Sequence, residues 1–244
     1  MKARIVGQTG KPYLQPDCRR RLSRRRQAST CYFVMVCRKN VGALLFQVSN
    51  ILSTLSSDFL ALSSSGFRLC PHTPQHLRAL LDGLENYEQL TGLTVARGVR
   101  DFIVGPEVSP DFLDQLRQRE ATDSWQDGFG VLLGKKLIGL CSFAGPPSED
   151  AVVEIAYGIA PDYEGRGYAT AAARALIEYA KGTGQVCSLR AYTLPQENAS
   201  TRVLQKCGFI FVGEAMNSQD GKVWRWERPV NLTSGEGSGN STLA

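Results

Sequence analysis

The sequence predicts a mixed α+β fold whose sheet begins with antiparallel strands. Leu77, Leu80, Leu81 and Leu84 recur at the i, i+3, i+4, i+7 spacing of one apolar helical face. Residues 128–133 and 137–143 are largely apolar segments joined by a Gly-Lys-Lys turn, which indicates a β-hairpin. Along residues 151–160, apolar side chains recur with the period of two that is typical of a strand. Helices packed on a sheet would satisfy all three patterns.

The remaining elements are placed by helix caps, periodicity and turn residues. Thr73 precedes Pro74, a usual start of a helix, and Gly182 and Gly184 end the amphipathic helix that follows residue 167. In chain order, the further expected elements are a strand at 67–69, a helix from Thr73, a helix from Ser109, a helix over 169–180, a strand at 186–192, a helix at 197–206, and strands at 209–212 and 223–226.

Charge is distributed unevenly along the 244 residues. Residues 1–57 carry eleven Lys or Arg and a single acid, Asp17, whereas residues 58–244 carry 17 basic and 22 acidic side chains. The net charge of +5 therefore comes from the N-terminal segment, and a nucleic-acid partner is not expected for the rest of the chain. We expect a basic, disordered extension at 1–65, one domain at 66–228 and a flexible Gly/Ser tail at 229–244.

The arginine-rich segment at 19–26 leaves two alternatives to disorder open: an organellar targeting peptide, or contact with nucleic acid or another anionic surface. No apolar run approaches the ~20 residues of a membrane-spanning helix, so we expect a cytoplasmic protein with no membrane partner. No C-x-x-C pair accompanies His72 and His76, so no metal site is expected. The sequence predicts no particular oligomeric state.

The turn at 164–169, whose sequence is Glu-Gly-Arg-Gly-Tyr-Ala, is the first candidate for a ligand site. It leaves a strand and enters a helix, so its backbone N–H groups converge at the positive end of the helix dipole, where a phosphate would bind. A plain tight turn is the alternative. A dinucleotide-binding fingerprint is excluded because Thr170 stands where its third Gly belongs, and the Gly-Lys-Ser/Thr of a Walker loop is absent.

Two motifs together resemble a known family. The first is Gly158-Ile-Ala-Pro-Asp-Tyr-Glu-Gly-Arg-Gly-Tyr-Ala-Thr170, and the second is Glu197-Asn-Ala-Ser-Thr-Arg-Val-Leu-Gln-Lys-Cys-Gly-Phe209. In this order they are similar to the GNAT superfamily of N-acetyltransferases, and the second is most similar to the ribosomal-protein N-terminal (alanine) acetyltransferase branch. The resemblance covers residues 66–228. It implies a central, mostly antiparallel sheet of about seven strands with flanking helices, splayed between strands four and five to admit acetyl-CoA as co-substrate.

The resemblance also implies residues that bind acetyl-CoA. The strand at 152–160 would be the fourth, and its backbone near Ile159 would pair with the pantetheine arm. The pyrophosphate would lie on the N–H groups of Gly165, Arg166, Gly167, Tyr168 and Ala169. Asn198 would help to hold the pantetheine arm or the substrate near the thioester.

Acetyl transfer to a primary amine requires the neutral amine, and a lysine-like amine with a pKa of ~10.4 is almost fully protonated at neutral pH. Glu154 is the only charged residue in an apolar strand, so it is the candidate general base, directly or through water. The alternative is a strand carboxylate that only orders water or pairs with a basic neighbour. The acceptor amine could belong to a small molecule or to a protein N-terminus.

Two residues depart from the family pattern. Glu164 replaces the usual Gln or Arg. Pyrophosphate binding should survive because its contacts are mainly backbone N–H groups, although the added negative charge is expected to weaken it. Leu204 stands where many relatives have the Tyr that protonates the leaving thiolate. Ser200 is then the candidate general acid, with water or a purely capping role for Ser200 as alternatives. These departures leave open a second function, a non-catalytic acyl-CoA-binding or sensor domain.

Three aromatic residues, Tyr87, Phe102 and Trp125, precede the motifs and have two interpretations. They could line the pocket for the acceptor amine, although aromatic residues at such spacing more often belong to a core.

Overall fold

The computed structural model describes residues 66–105, 108, 110–217 and 221–230. The basic extension expected at 1–65 and residues 231–244 of the expected tail lie outside these described residues. The last strand runs to Pro229, and the Val230 N–H donates to the Cys187 carbonyl at 2.9 Å. Among the described residues, no helix combines the length and the apolar character that crossing a membrane requires.

Eight strands and seven α-helices lie in the described part of the chain. The strands are β1 (Phe67–Pro71), β2 (Thr94–Val95), β3 (Phe129–Leu133), β4 (Lys136–Phe143), β5 (Val152–Ile159), β6 (Ser188–Thr193), β7 (Ile210–Asn217) and β8 (Gly221–Pro229). The helices are α1 (Pro74–Asp82), α2 (Leu84–Thr91), α3 (Asp101–Val104), α4 (Pro110–Gln118), α5 (Ser124–Asp127), α6 (Tyr168–Thr183) and α7 (Ala199–Lys206). A 3₁₀ turn (Pro161–Tyr163) connects β5 to the segment before α6.

The sheet has the order β1-β3-β4-β5-β6-β8-β7, and β2 pairs with β4 outside this path. All pairs are antiparallel except β2 with β4 and β5 with β6. The expected mixed fold with a mostly antiparallel sheet is confirmed, including the hairpin of β3 and β4. The sheet has one strand more than the seven expected. The additional strand is β2, whose two residues are too few to produce a periodic pattern in the sequence.

The sheet opens between β5 and β6. Val152, Val153 and Glu154 pair with β6, whereas residues 155–159 pair only with β4 on the other side. β5 and β6 correspond to strands four and five of the predicted order. Past Glu154, one side of β5 therefore faces a gap in the sheet.

Helices lie against both faces of β5. Val153, Ile155, Tyr157 and Ile159 are buried in the main core with the apolar face of α6. On the opposite face, a Cβ atom added to Gly158 would lie 3.0 Å from the Phe102 ring of α3. This close packing leaves glycine as the residue that fits there.

Leu84 does not belong to the apolar face that the spacing of the leucines predicts. Gly83 ends α1 in an extended conformation, and Leu84 begins a separate helix with 36% of its surface exposed. The glycine interrupts the helix one residue before the fourth leucine.

All three aromatic residues considered for an acceptor pocket pack in or against the core, with Tyr87 buried and Phe102 and Trp125 partly buried. Tyr87 is 2% exposed, and its hydroxyl lies 3.0 Å from His72 Nε2. The Trp125 ring contacts the Phe143 ring at a centroid distance of 4.6 Å. The core interpretation therefore fits Tyr87 best, while Trp125 and Phe102 pack against the core and the Phe102 ring also covers β5 at Gly158.

Burial, with a smaller contribution from neighbouring His76, lowers the pKa of His72 to about 3. An unfolded histidine has a pKa of about 6.5, so the unfolded chain binds more protons between these values. We expect the free energy of unfolding to fall as the pH is lowered from about 6.5 toward 3, by at most about 1.4 kcal/mol per pH unit from this residue.

Urea unfolding at a series of pH values measures this dependence. His72→Gln should flatten it, whereas Tyr87→Phe, which keeps the buried imidazole, should preserve it. An equal pH slope in wild type and His72→Gln would refute the assignment.

Candidate functional site

A cleft with a cavity volume of about 230 Å³ lies against the unpaired end of β5. Tyr157 and Ile159 form its β5 wall, and the segment from Tyr163 to Thr170 together with one face of α7 forms the remainder. The cleft thus collects residues from both motifs that the sequence analysis singled out.

The glycine turn adopts the backbone that the ligand-binding interpretation requires. Gly165 and Gly167 have φ values of +74° and +84°, which L side chains rarely adopt. Gly167 is the N-cap of α6 and has no side chain with which to cap the first N–H groups of the helix. These donors point out of a helix of 16 residues at the positive end of its dipole, where an anion is stabilised.

The side chains of the turn have structural contacts of their own. The Tyr168 ring stacks on Phe67 with a centroid distance of 6.0 Å and is 7% exposed. The Arg166 guanidinium lies over the Tyr163 ring, 5.6 Å from its centroid, which holds the cation beside the cleft. The Tyr168 side chain is therefore engaged in packing, and only its backbone N–H is available to bind an anion, as predicted from the sequence.

Two cations on α7, Arg202 and Lys206, line the cleft and were not among the predicted site residues. They belong to the set Ala199, Arg202, Val203 and Lys206, whose spacing of i, i+3, i+4, i+7 places all four on one helical face. That spacing is visible in the sequence and could have identified them. Glu164, the departure from the family pattern, also lines the cleft, so its charge lies on the same wall as the turn.

A hydrogen bond connects β5 to α7 near the opening in the sheet. The Tyr157 hydroxyl donates to the backbone carbonyl of Ser200 at 3.3 Å. Burial raises the pKa of Tyr157, so this hydroxyl stays protonated. The bond fixes the start of α7 relative to the strand that borders the cleft.

Asn198 and Ser200 have different local roles. Asn198 Oδ1 accepts the N–H of Thr201 at 3.0 Å, while the Thr201 hydroxyl accepts the N–H of Asn198 at the same distance. This capping box begins α7 and does not use the Ser200 side chain. Ser200 is 5% exposed and lines the cleft, so the capping role considered for Ser200 falls to Asn198.

Glu154 is the last residue of β5 that pairs with β6, where it lies opposite Arg190. Its side chain is partly exposed and shares a face of the strand with Ala156 and Gly158, away from α6. Glu154 therefore lies at the point where the sheet opens, outside the lining of the cleft itself. Leu204, at the position of the family tyrosine, is fully buried in the core.

The structure thus brings most of the expected site residues together. The cleft is lined by Ile159, Gly165, Gly167, Tyr168, Ala169 and Ser200. Arg166 and Asn198 lie directly beside lining residues, and Glu154 lies at the opposite end of β5 from Ile159. Their roles in binding and catalysis stay predictions. Among the described residues, no group of three or more His, Cys, Asp or Glu could hold a metal ion.

Residues 68–210, more than half of the chain, match the family model described as an acetyltransferase (GNAT) domain. No curated protein sequence matches the chain.

Solved structures with a similar fold include the spermidine N-acetyltransferase SpeG chimera from Vibrio cholerae and hSSAT, with 19% identity and a TM-score of 0.50 over 68% of this chain and 96% of that chain. RimL, a ribosomal alpha-N-protein acetyltransferase solved in complex with coenzyme A, has 15% identity and a TM-score of 0.48 over 69% of this chain and 97% of that chain. Ard1 from Thermoplasma volcanium has 12% identity and a TM-score of 0.48 over 68% and 99% of the two chains. At 19% identity, the likeness to the SpeG chimera supports only the fold of this chain.

The capping box gives a prediction about the structural role of Asn198. Asn198→Ala removes the acceptor for the Thr201 N–H and should lower the free energy of unfolding by about 0.5–2 kcal/mol. Asn198→Asp keeps an acceptor oxygen and should retain the stability, as measured by urea unfolding. Equal losses of unfolding free energy in both variants would show that the side-chain amide nitrogen of Asn198, and not its capping oxygen, stabilises the domain.

Proposed function

The chain belongs to the GNAT family of acetyltransferases, and on that premise we propose that it transfers an acetyl group from acetyl-CoA to the nitrogen of a primary amine. The observation that carries the proposal is the turn with two left-handed glycines at an uncapped helix start, set beside cations in a cleft that opens onto a gap in the sheet.

Backbone N–H groups and cations in and beside the cleft support the placement of acetyl-CoA there. The N–H groups of 165–169 would hold the pyrophosphate, and Arg166, Arg202 and Lys206 would offset its negative charge. A Cβ atom added to Gly165 would meet nothing within 4 Å, so the backbone there is open to close approach by a ligand. The pantetheine arm would extend along Ile159, on the side of β5 that lacks a β6 partner.

The chemistry then requires the acetyl carbon to lie in the gap between β5 and β6. The neutral amine attacks the thioester carbon directly, the new C–N bond forms, and the C–S bond breaks to release CoA. Glu154, at the edge of this gap, would take the proton from the amine, directly or through water. Ser200, on the cleft side, would donate a proton to the departing thiolate, with water as the alternative donor.

We propose a small molecule or a protein N-terminus as the acceptor. A non-catalytic acyl-CoA-binding domain is the competing function, because Leu204 leaves the family's tyrosine position without a hydroxyl and is buried. Release of free CoA in the presence of a panel of amines distinguishes the two functions, since the competing domain would bind acetyl-CoA without turnover.

A pair of glycine variants tests the cofactor site. Gly165 and Gly134 both have a positive φ, and a Cβ atom added to either would meet nothing within 4 Å, but only Gly165 lies in the cleft. Gly165→Val should weaken acetyl-CoA binding by about tenfold or more, the cost of losing one charge-assisted backbone contact. Gly134→Val, in the β3–β4 hairpin, should carry a similar backbone strain and bind acetyl-CoA normally.

Calorimetric titration of the full chain with acetyl-CoA makes this measurement, with NAD as the control ligand. If wild type does not bind acetyl-CoA, or if both variants bind it equally well, the cleft is not the cofactor site.

A second pair of variants tests the general base. Glu154→Gln should lower kcat at least about tenfold near neutral pH, and the deficit should shrink as rising pH deprotonates the amine without help. Glu149→Gln, an equal loss of charge on the exposed loop before β5, should leave kcat unchanged. A deficit in Glu154→Gln that is constant across pH would point to a structural role for this carboxylate.

A further inference from the structure

A cluster of charged residues lies on the face of the sheet opposite α6 and α7, directly beside the gap. Strand register places Glu154 opposite Arg190, Arg190 opposite Glu227, and Tyr192 opposite Arg225. Residues in register on neighbouring strands share a face, so all five side chains project to the same side of the sheet. The cofactor cleft, with Tyr157 and Ser200, lies on the other side.

Arg190 and Glu227 form the fixed centre of this cluster. Arg190 donates from Nε and from Nη2 to the same oxygen, Glu227 Oε1, at 3.1 and 2.9 Å. The side chains of both residues are about nine-tenths buried, at 8% and 10% exposed. A buried carboxylate needs a cation, and Arg190 already supplies one through two hydrogen bonds.

Arg225 is a second cation on the same carboxylate oxygen. Its Nε atom lies 3.7 Å from Glu227 Oε1, beyond hydrogen-bond distance, and is itself buried. This N–H makes no hydrogen bond with any described residue. A buried donor without an acceptor is costly, so the guanidinium has hydrogen-bonding capacity that Glu227 does not use. One quarter of its side chain is exposed, which leaves a path for such a group.

We infer that Arg225 recognises an anionic group on the acceptor, so that the acceptor is a primary amine that also carries a carboxylate, such as a free amino acid. This inference rests on the proposed function, because it assigns the acceptor of that same site. Arg225 would act as a specificity-determining residue, held in place by the Arg190–Glu227 pair.

The spacing of the strands suits an acceptor of this size. Glu154 and Arg225 stand two strands apart, about 10 Å across the sheet, and Arg225 is displaced by two residues along the strands, so their Cα atoms lie about 12 Å apart. An amine near Glu154 and a carboxylate a few bonds away could therefore be met by the two side chains together. Tyr192 lies between them on β6, where burial raises its pKa and the charges of Glu154 and Arg225 act on it in opposite directions.

Arg225 is not one of the cations that would bind the phosphates of acetyl-CoA in the cleft. Arg202 and Lys206 lie on α7, on the side of the sheet where the phosphates of acetyl-CoA are placed. Arg225 lies on the opposite face and takes no part in that cleft's lining. Repulsion from Arg225 would disfavour a polycationic acceptor such as spermidine relative to an amine that carries a carboxylate.

The test uses the full chain and paired acceptors. L-alanine, L-phenylalanine and L-glutamate are each compared with their α-amides, and spermidine serves as a polycation. The α-amides hold more of their amine in the neutral form at a given pH, so a preference for the acids cannot come from amine basicity. We expect wild type to acetylate at least one acid with a kcat/KM about tenfold or more above that of its amide.

Arg225→Gln should abolish this preference by raising KM for the acid, and it should leave KM for acetyl-CoA unchanged. Lys222→Gln is the matched control, because it removes one positive charge from the same strand at an exposed position paired with Glu214. Arg225→Lys keeps the charge and should restore part of the preference. Thermal unfolding of each variant reports whether the loss of Arg225 disturbs the fold.

The outcomes separate this inference from the proposed function. Equal turnover of acids and amides, a preference that survives in Arg225→Gln, or turnover of spermidine alone overturns the inference and leaves amine acetylation standing. If no amine is acetylated, calorimetric titration of the CoA-saturated chain with the three acids decides the matter. Binding that depends on Arg225 would support the anion site while the proposed function fails, and no binding would overturn both.

Discussion

The loss of pairing between β5 and β6 after Glu154 is the constraint on which the rest of the site depends. A strand inside a sheet normally satisfies its backbone N–H and C=O groups on both sides. Here residues 155–159 keep β4 as a partner and face a gap on the other side. Under the proposed function, the gap would give the extended arm of acetyl-CoA backbone groups to bind. It also places the end of β5 next to the glycine turn.

The gap also connects the two faces of the sheet. On one face, α6 and α7 pack on the core side of β5, and the Tyr157–Ser200 hydrogen bond fixes α7 beside the cleft. On the other face, Phe102 covers Gly158, and Glu154 lies where the pairing ends. A cofactor from one side and an amine from the other would therefore meet inside the sheet, with no need for either to pass the other.

Charge is organised around the same gap. A buried ion pair contributes little net stability, because desolvation offsets most of its attraction, but losing one partner is costly. The pair of Arg190 and Glu227 therefore fixes how β6 lies against β8 more than it stabilises the domain. The second guanidinium, that of Arg225, lies 3.7 Å from the same carboxylate oxygen, and its buried Nε makes no hydrogen bond with a described residue.

The sequence by itself determined the local features: the alternation along β5, the left-handed glycine turn into α6, and the motif that begins α7. Each is made of contiguous residues, so spacing and residue type suffice to predict it. Only the tertiary structure decided that Asn198 is the cap while Ser200 faces the cleft, and that β2 joins the sheet. It alone placed Arg225 and Glu227 on the face of Glu154, because strand order and register join segments some seventy residues apart, and no local pattern encodes them.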